Sequence, residues 1–147
     1  MKEIVFRGRK KSGEWVYGDL IQLHEEAPYW YILPEGISSE MYEDEPYPFR
    51  QNDVMCSVAL AKVIPKTIGQ FTGLTDKNGK KIFEGDIVTG RFLHSLPINS
   101  VISFRNGAFG LLWDRGGAET FDAFTSLCNI EYEVIGNIHD NPELLGE

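Results

Sequence analysis

Large apolar residues alternate with small or polar residues along several short stretches of the chain. The alternation is clearest over Trp15–Leu23, where its period of two is typical of a half-buried β-strand. Shorter runs rich in branched and aromatic residues also favour strands, and they lie at 4–6, 29–33, 54–58, 61–64 and 132–136. The pattern therefore predicts a chain built mainly from short strands separated by turns.

Two Asn-Gly pairs predict tight β-hairpins. Asn78–Gly79 separates two apolar runs, and Asn106–Gly107 joins Ser100–Phe104 to Ala108–Trp113. Asn and Gly both tolerate a positive φ, which the two central residues of a primed hairpin turn require. We therefore expect a two-residue turn at each pair.

The clearest helical periodicity lies in the last third of the chain, and the loop at 35–52 has room for one short helical turn. Glu119–Cys128 is the best helix candidate, because Phe121, Phe124 and Leu127 recur at a spacing of three. The residues at 141–145 predict a short terminal helical turn. Strands and helices do not alternate along the sequence, so a doubly wound parallel sheet is not expected.

These elements predict a mainly β fold, either all-β or β-rich α+β, made of short antiparallel strands. We expect an N-terminal β-subdomain at 1–64, which includes an acidic, proline-containing loop at 35–52. From residue 65 onward, the order of Ile82–Val88, the Asn106–Gly107 hairpin and the last strand suggests an SH3-like barrel. The subdomains at 1–64 and 65–147 are expected to form one compact unit.

The charge balance limits the classes of partner. The 147 residues include 14 Lys and Arg against 22 Asp and Glu, which gives a formal net charge of -8 at pH 7. Such a surface opposes nonspecific binding to nucleic acids and to acidic membranes. Cys56 and Cys128 each lie in an apolar run, which favours buried thiols in a reducing cytosol. Because no run of about 20 apolar residues occurs, we expect a soluble cytoplasmic protein without membrane contact.

Several segments together resemble one protein family. Taken in order, they are Phe6–Arg9, Trp15–Leu20, Thr67–Lys80, Ile82–Val88 and Glu133–Leu145. They are similar to the YopX family, small proteins carried by bacteriophages and prophages, mostly in Gram-positive hosts. The resemblance spans nearly the whole chain and implies a β-rich fold and a phage or prophage origin. It carries no implication of an activity or of catalytic residues.

One group of carboxylates is a candidate metal site. Asp76, Glu84 and Asp86 offer the oxygen ligands that Mg²⁺ and Ca²⁺ prefer. Their spacing does not fit an EF-hand loop, and Gly and Asp at these positions are also typical of turns. We expect no bound metal or cofactor, and a small metal-dependent enzyme stays an alternative.

A second group of carboxylates is a candidate for acid–base catalysis. Asp114, Glu119 and Asp122 follow a predicted strand and suit that chemistry if they lie on one side. An acidic first helical turn explains the same residues. The histidines lie in separate segments without a recognisable catalytic partner, at His24, His94 and His139. We therefore favour a protein without its own catalysis.

Two basic turns are candidates for binding nucleic acid. Arg7, Arg9, Lys10 and Lys11 lie close to Trp15 and Tyr17, and the other turn carries Lys77, Lys80 and Lys81. Basic groups beside aromatic rings suit single-stranded nucleic acid if both turns emerge on one side. Lysines at hairpin tips also serve solubility alone. This nucleic-acid-binding module is our alternative interpretation.

Protein recognition is the interpretation that we favour. The acidic loop supplies Glu40, Glu43, Asp44 and Glu45, which suit a basic partner protein. Trp30 lies between Tyr29 and Tyr31, so at least one of these consecutive aromatic side chains faces outward from a strand. An outward aromatic side chain suggests an interface with a host or phage protein, or with a second copy of the chain.

Overall fold

The structure is a computed structural model, and it describes residues 2–23, 29–34, 60–90, 98–124 and 131–146. The chain divides into two compact units. The N-terminal unit is Glu3–Gln70, and the C-terminal unit is Phe71–Glu147 together with the first two residues.

Antiparallel strands form the described part of the N-terminal unit. The strands are β1 (Phe6–Arg9), β2 (Trp15–Leu23), β3 (Tyr29–Pro34), β4 (Ala61–Lys62) and the start of β5 (Gly69–Thr75), with a 3-10 turn at Pro65–Thr67. Their order in the sheet is β4-β3-β2-β1-β5. Arg7 pairs with Tyr17 and Arg9 with Trp15, so the predicted alternation over Trp15–Leu23 belongs to a central strand.

One face of this sheet carries the core of the unit. Val16, Ile32, Ala61 and Val63 are buried together, and a second set packs against them: Phe6, Leu20, Trp30 and Ile68. The segment after β4 crosses this face, because the Val63 N–H donates to the Trp30 carbonyl and the Ile64 N–H donates to the Arg9 carbonyl. The crossing passes very close to Gly8, where an added Cβ would lie 2.8 Å from the Val63 Cβ.

We expect Gly8→Ala to destabilise the protein, because the new methyl group overlaps the Val63 side chain. Overpacking of this kind costs about 1–3 kcal/mol. Urea unfolding measures the loss, and Val63→Ala supplies the partner variant. The double variant should lose less stability than the sum of the two single losses, since a smaller residue at 63 makes room for the methyl group. Strict additivity would contradict the close approach at Gly8.

The C-terminal unit contains a five-stranded antiparallel sheet. Its strands are β7 (Asp86–Gly90), β8 (Ile98–Arg105), β9 (Ala108–Arg115), β10 (Ala118–Ala123) and β11 (Tyr132–Asn137), in the order β10-β9-β8-β7-β11. The later part of β5 pairs with β6 (Lys81–Phe83), and a 3-10 turn at Pro142–Leu145 confirms the terminal helical turn. The mainly β fold is confirmed. The described strands form no closed sheet, so the SH3-like barrel is not confirmed.

The core of the C-terminal unit lies on one face of its sheet. Ile82, Val88, Ile102 and Leu111 are buried there, with Trp113, Phe124, Tyr132 and Val134 packed against them. No helix within the described ranges has the length and apolar character needed to cross a membrane.

The prediction of a helix at Glu119–Cys128 is wrong. Ala118–Ala123 forms β10, which pairs with β9 from Ala118 opposite Arg115 to Ala123 opposite Gly110. Gly116 and Gly117 both have positive φ, so they form a tight turn that returns the chain along β9. Phe124 reaches the core just after this strand, which explains the misleading spacing of the phenylalanines. Residues 125–128 lie outside the described residues.

The two Asn-Gly pairs form different turns. Asn106 and Gly107 have φ values of 52° and 78°, which confirms the predicted two-residue turn. The hairpin at Asn78–Gly79 is present, but the prediction of a two-residue turn there is wrong. Gly79 has a positive φ and Asn78 does not, and the Asp76 N–H donates to the Lys80 carbonyl across a three-residue loop. A glycine ending a three-residue loop is typical of the bulged hairpin.

Candidate functional site

The face of the N-terminal sheet opposite the core carries an unusual set of side chains. Successive residues of a strand point to opposite faces, so burying Phe6, Val16 and Ile32 directs their neighbours outward. Register then places cations beside aromatic rings across the strands. We call this set the outward face: Arg7, Arg9, Trp15, Tyr17, Asp19, Ile21, Tyr29, Tyr31, Leu33 and Lys62.

Two arginines contact the same indole ring on the outward face. The Arg7 guanidinium carbon lies 4.8 Å from the centroid of the Trp15 ring, and that of Arg9 lies 6.0 Å from it. Arg7 is only 5% exposed. Cation–π contacts are stronger when the cation is removed from water. The Arg7 contact therefore fixes Trp15 beside the exposed part of the face.

Two tyrosines are the most exposed aromatic residues on the outward face. Tyr17 is 41% exposed and Tyr29 is 44% exposed. The Lys62 Nζ lies 4.1 Å from the centroid of the Tyr29 ring, so strand β4 holds the ring at the end of β3. Both exposed tyrosines therefore lie on strands paired within the sheet.

The predicted protein-binding residues have different positions relative to this face. Trp30 packs against the core cluster of the N-terminal unit, while its neighbours Tyr29 and Tyr31 lie on the outward face. The acidic candidates Glu40, Glu43, Asp44 and Glu45 lie outside the described residues. The outward aromatic side chain that we expected from this run is therefore Tyr29, together with Tyr31.

The predicted nucleic-acid-binding residues fall into both units. Arg7 and Arg9 lie on the outward face, whereas Lys10 and Lys11 lie in the turn after β1, where Lys10 Nζ pairs with Glu14 at 3.1 Å. Lys77 and Lys80 belong to the C-terminal unit. The Lys77 ammonium pairs with Glu133 at 3.2 Å, and Lys80 uses its backbone N–H to bind Asp76.

Asp76 has a structural role in the hairpin between β5 and β6. Its Oδ1 accepts the N–H groups of Asn78 and Lys80, both at 2.9 Å, and its Oδ2 accepts the Val134 N–H at 3.0 Å. Burial alone raises the pKa of the Asp76 carboxyl, but these hydrogen bonds and the nearby Lys80 charge lower it below its ordinary value of 3.8. The carboxylate thus ties the hairpin tip to β11.

The other carboxylates of the candidate metal site do not gather around Asp76. The Asp86 Oδ2 accepts the Phe83 N–H at 2.8 Å, which closes the turn that contains Glu84. Across the described part of the chain, no three acidic, histidine or cysteine side chains are placed to hold a metal ion. The carboxylates of Asp76 and Asp86 are used for turn structure.

We expect Asp76→Asn to lower the free energy of unfolding by about 2–3 kcal/mol at pH 7, because backbone donors lose a charged acceptor. The pKa of the Asp76 carboxyl is lower in the folded state than in the unfolded state. The Asp76 charge therefore stabilises the fold above pH 3.8, and this stabilisation is lost as pH falls through the folded-state pKa. Urea unfolding at pH 7 and pH 3 should show that the difference from wild type shrinks in acid.

Asp114→Asn is the matched control for this prediction, because Asp114 accepts one N–H, that of Gly117, at an exposed turn. It should change stability by less than about 1 kcal/mol at both pH values. An Asp76→Asn variant whose loss of stability is the same at pH 3 as at pH 7 would contradict the role assigned to the Asp76 charge.

The candidate catalytic carboxylates are also engaged in separate contacts. Glu119 pairs with Arg105 at 2.6 Å, and the Asp122 Oδ2 accepts the Trp113 Nε1–H at 2.7 Å. Asp114 is opposite Glu119 across the strands, while Asp122 lies on the other face of β10. Of the histidines and cysteines, only His139 lies within the described residues.

A small cavity in the C-terminal unit lies beside the Tyr132 ring. Burial, with a smaller contribution from the Asp122 charge, raises the pKa of Tyr132 to about 12. Its hydroxyl oxygen is buried and has no hydrogen-bond partner within the described ranges. The cavity of about 10 Å³ also touches Ser100 and Trp113. It is large enough for at most one water molecule, so it is not a ligand site.

Sequence reasoning missed the outward face as a single surface. It identified Arg7, Arg9, Trp15 and Tyr17 as neighbours but did not join them to Tyr29, Tyr31 and Lys62. The available signal was the period-two alternation of β2 together with the consecutive aromatic residues of β3. The register between these strands, which the sequence alone does not specify, brings them together.

Comparisons with known proteins agree with this architecture. The profile of the YopX protein family matches residues 5–146. The chain is also similar to the crystal structure of protein EF1440 from Enterococcus faecalis, with a TM-score of 0.52, 24% sequence identity and coverage of 99% of each chain. At this identity the likeness shows the fold alone. No curated protein sequence matches the chain.

Proposed function

The chain belongs to the YopX protein family, and we propose that it is a non-catalytic protein-interaction module of bacteriophage or prophage origin. The outward face of the N-terminal sheet is its recognition surface, and its partner is a host or phage protein in the bacterial cytoplasm. Three of the carboxylates considered for metal binding or catalysis support a non-catalytic role, because Asp76, Asp86 and Asp122 each accept a structural hydrogen bond.

The observation that carries the proposal is the exposure of Tyr17 and Tyr29 on a face that also holds Trp15 and Arg9. Tyrosine, tryptophan and arginine are the residue types most enriched among the side chains that dominate protein interfaces. Cation–π contacts hold the Trp15 and Tyr29 rings, and strand pairing fixes the backbone of Tyr17. Binding therefore loses less side-chain entropy than it would on a flexible loop.

The same face is less suited to single-stranded nucleic acid. Arg7 is buried, which leaves it poorly placed for phosphate contacts. The formal net charge of -8 also repels a polyanion. Protein recognition is therefore favoured over the nucleic-acid alternative.

The test is an affinity capture from a Gram-positive host lysate after nuclease treatment, with quantitative mass spectrometry. We expect wild type to retain a defined protein that the Tyr17→Thr/Tyr29→Thr variant loses by about tenfold or more, because truncating interface aromatics costs about 1–2 kcal/mol each. Threonine keeps the β-propensity of both strands. Binding of the purified candidate to both forms then measures the difference directly.

Leu74→Thr is the matched control, because Leu74 is 43% exposed and lies in the C-terminal unit. It should retain the same protein as wild type. Equal recovery by the Tyr17→Thr/Tyr29→Thr variant would contradict the assignment of the outward face. Retention of nuclease-sensitive material alone would favour the nucleic-acid alternative, with charge reversal at Lys10 and Lys80 as its next test.

A further inference from the structure

The two Asn-Gly pairs of the chain differ in how their central peptide group is held. In such a pair, the backbone nitrogen of the glycine is well placed to attack the side-chain amide carbon of the asparagine, because glycine has no Cβ to obstruct the approach. The pairs are Asn78–Gly79 and Asn106–Gly107. The attack needs the nitrogen and the amide carbon to come together, so its rate in a folded protein depends on how freely the peptide group rotates.

The peptide group between Asn106 and Gly107 is not held by hydrogen bonds. Strand pairing joins Arg105 to Ala108 on the two sides of the turn. Within the described ranges, no hydrogen bond engages the Gly107 N–H or the Asn106 side-chain amide. Both residues are exposed, and a Cβ added to Gly107 would meet no atom within 4 Å. This peptide group can therefore rotate without breaking a hydrogen bond of its own.

The peptide group between Asn78 and Gly79 is held by Asp76. The Gly79 N–H donates to the Asp76 carbonyl at 3.0 Å, and the Asn78 N–H donates to the Asp76 Oδ1 at 2.9 Å. The Asn78 Nδ2 also lies 3.5 Å from the Glu133 Oε1. Rotation of this peptide group breaks at least the Gly79 hydrogen bond, which lowers the population of the rotated state by about fivefold.

We infer that Asn106 is a site of spontaneous deamidation in the folded protein and that the loop at 76–80 protects Asn78. The Gly107 nitrogen gives up its proton and bonds to the Asn106 Cγ, and the side-chain nitrogen takes up that proton and leaves as ammonia. The product is a five-membered succinimide ring. Water then opens the ring at either of its carbonyl carbons, which gives aspartate or isoaspartate at position 106.

The isoaspartate product does not fit the turn. It routes the main chain through the side-chain methylene, so the backbone of the turn becomes longer, whereas a two-residue turn has a fixed length and twist. The rings of Phe104 and Phe109 pack across the strands beside this turn, with their centroids 4.9 Å apart. Isoaspartate therefore loosens the end of the β8–β9 hairpin. Aspartate tolerates the positive φ at position 106 and keeps the turn.

Peptide mapping by mass spectrometry tests the inference in the folded full chain, incubated at mildly alkaline pH. Both sites are measured in one sample, and the chain unfolded in urea is the matched reference because it keeps both sequences and loses the hydrogen bonds. We expect the ratio of the Asn106 rate to the Asn78 rate to be about fivefold larger in the folded protein than in the unfolded chain. Isoaspartate should accumulate at position 106.

Asp76→Asn tests the protection of Asn78. Replacing a charged acceptor by a neutral one weakens the loop, so the Asn78 rate should rise by about fivefold while the Asn106 rate in the same sample stays at its wild-type value. Equal acceleration at both sites would assign the protection to overall stability and would overturn the role of the loop.

Asn106→Gly tests the consequence for the hairpin. It keeps a two-residue turn that accepts positive φ and removes the reacting amide. Incubated Asn106→Gly should keep its resistance to urea, while incubated wild type should lose resistance in step with its isoaspartate content.

Equal rates at Asn78 and Asn106 in the folded protein, after correction by the unfolded reference, would overturn the inference. So would an Asn106 that stays unmodified while the unfolded chain reacts, since the folded turn would then block the attack. These outcomes are independent of the proposed function, because both asparagines belong to the C-terminal unit and neither is part of the outward face.

Discussion

The antiparallel register of β1, β2 and β3 is the constraint on which the outward face depends. Burying Phe6, Val16 and Ile32 on one face leaves no choice for their neighbours, which must point to the other face. A slip of one residue would place Tyr17 in the core and Val16 in water, so the hydrophobic effect itself fixes the register. The same register brings Arg7 and Arg9 beside Trp15, and their cation–π contacts hold the Trp15 ring on the outward face.

Polar groups in the C-terminal unit serve structure in a comparable way. Asp76 joins the tip of one hairpin to β11, and Asp86 closes the next turn. A carboxylate that accepts several backbone N–H groups is stabilised as an anion and is a poor proton acceptor. Asp76 and Asp86, which suggest a metal site in the sequence, thus stabilise turns.

The sequence predicts the strand composition and one turn type well, because both depend on local side-chain preferences. Asn106–Gly107 is such a case, since its two positive φ values are intrinsic to those residues. Asn78–Gly79 differs because the Asp76 carboxylate organises a wider loop and binds Val134 far along the chain. The helix expected at Glu119–Cys128 fails because Gly116–Gly117 creates a hairpin and β9 supplies a pairing partner. Long-range pairing also hides the outward face from sequence reasoning.

Protein recognition through the outward face is most directly tested by photo-crosslinking in the bacterial host. A photoreactive phenylalanine derivative replaces Tyr17 in one variant and the exposed Leu74 in another. The account predicts a discrete, nuclease-resistant protein adduct from position 17 that is absent from position 74. The same adducts from both positions, or only nuclease-sensitive adducts from position 17, would contradict it.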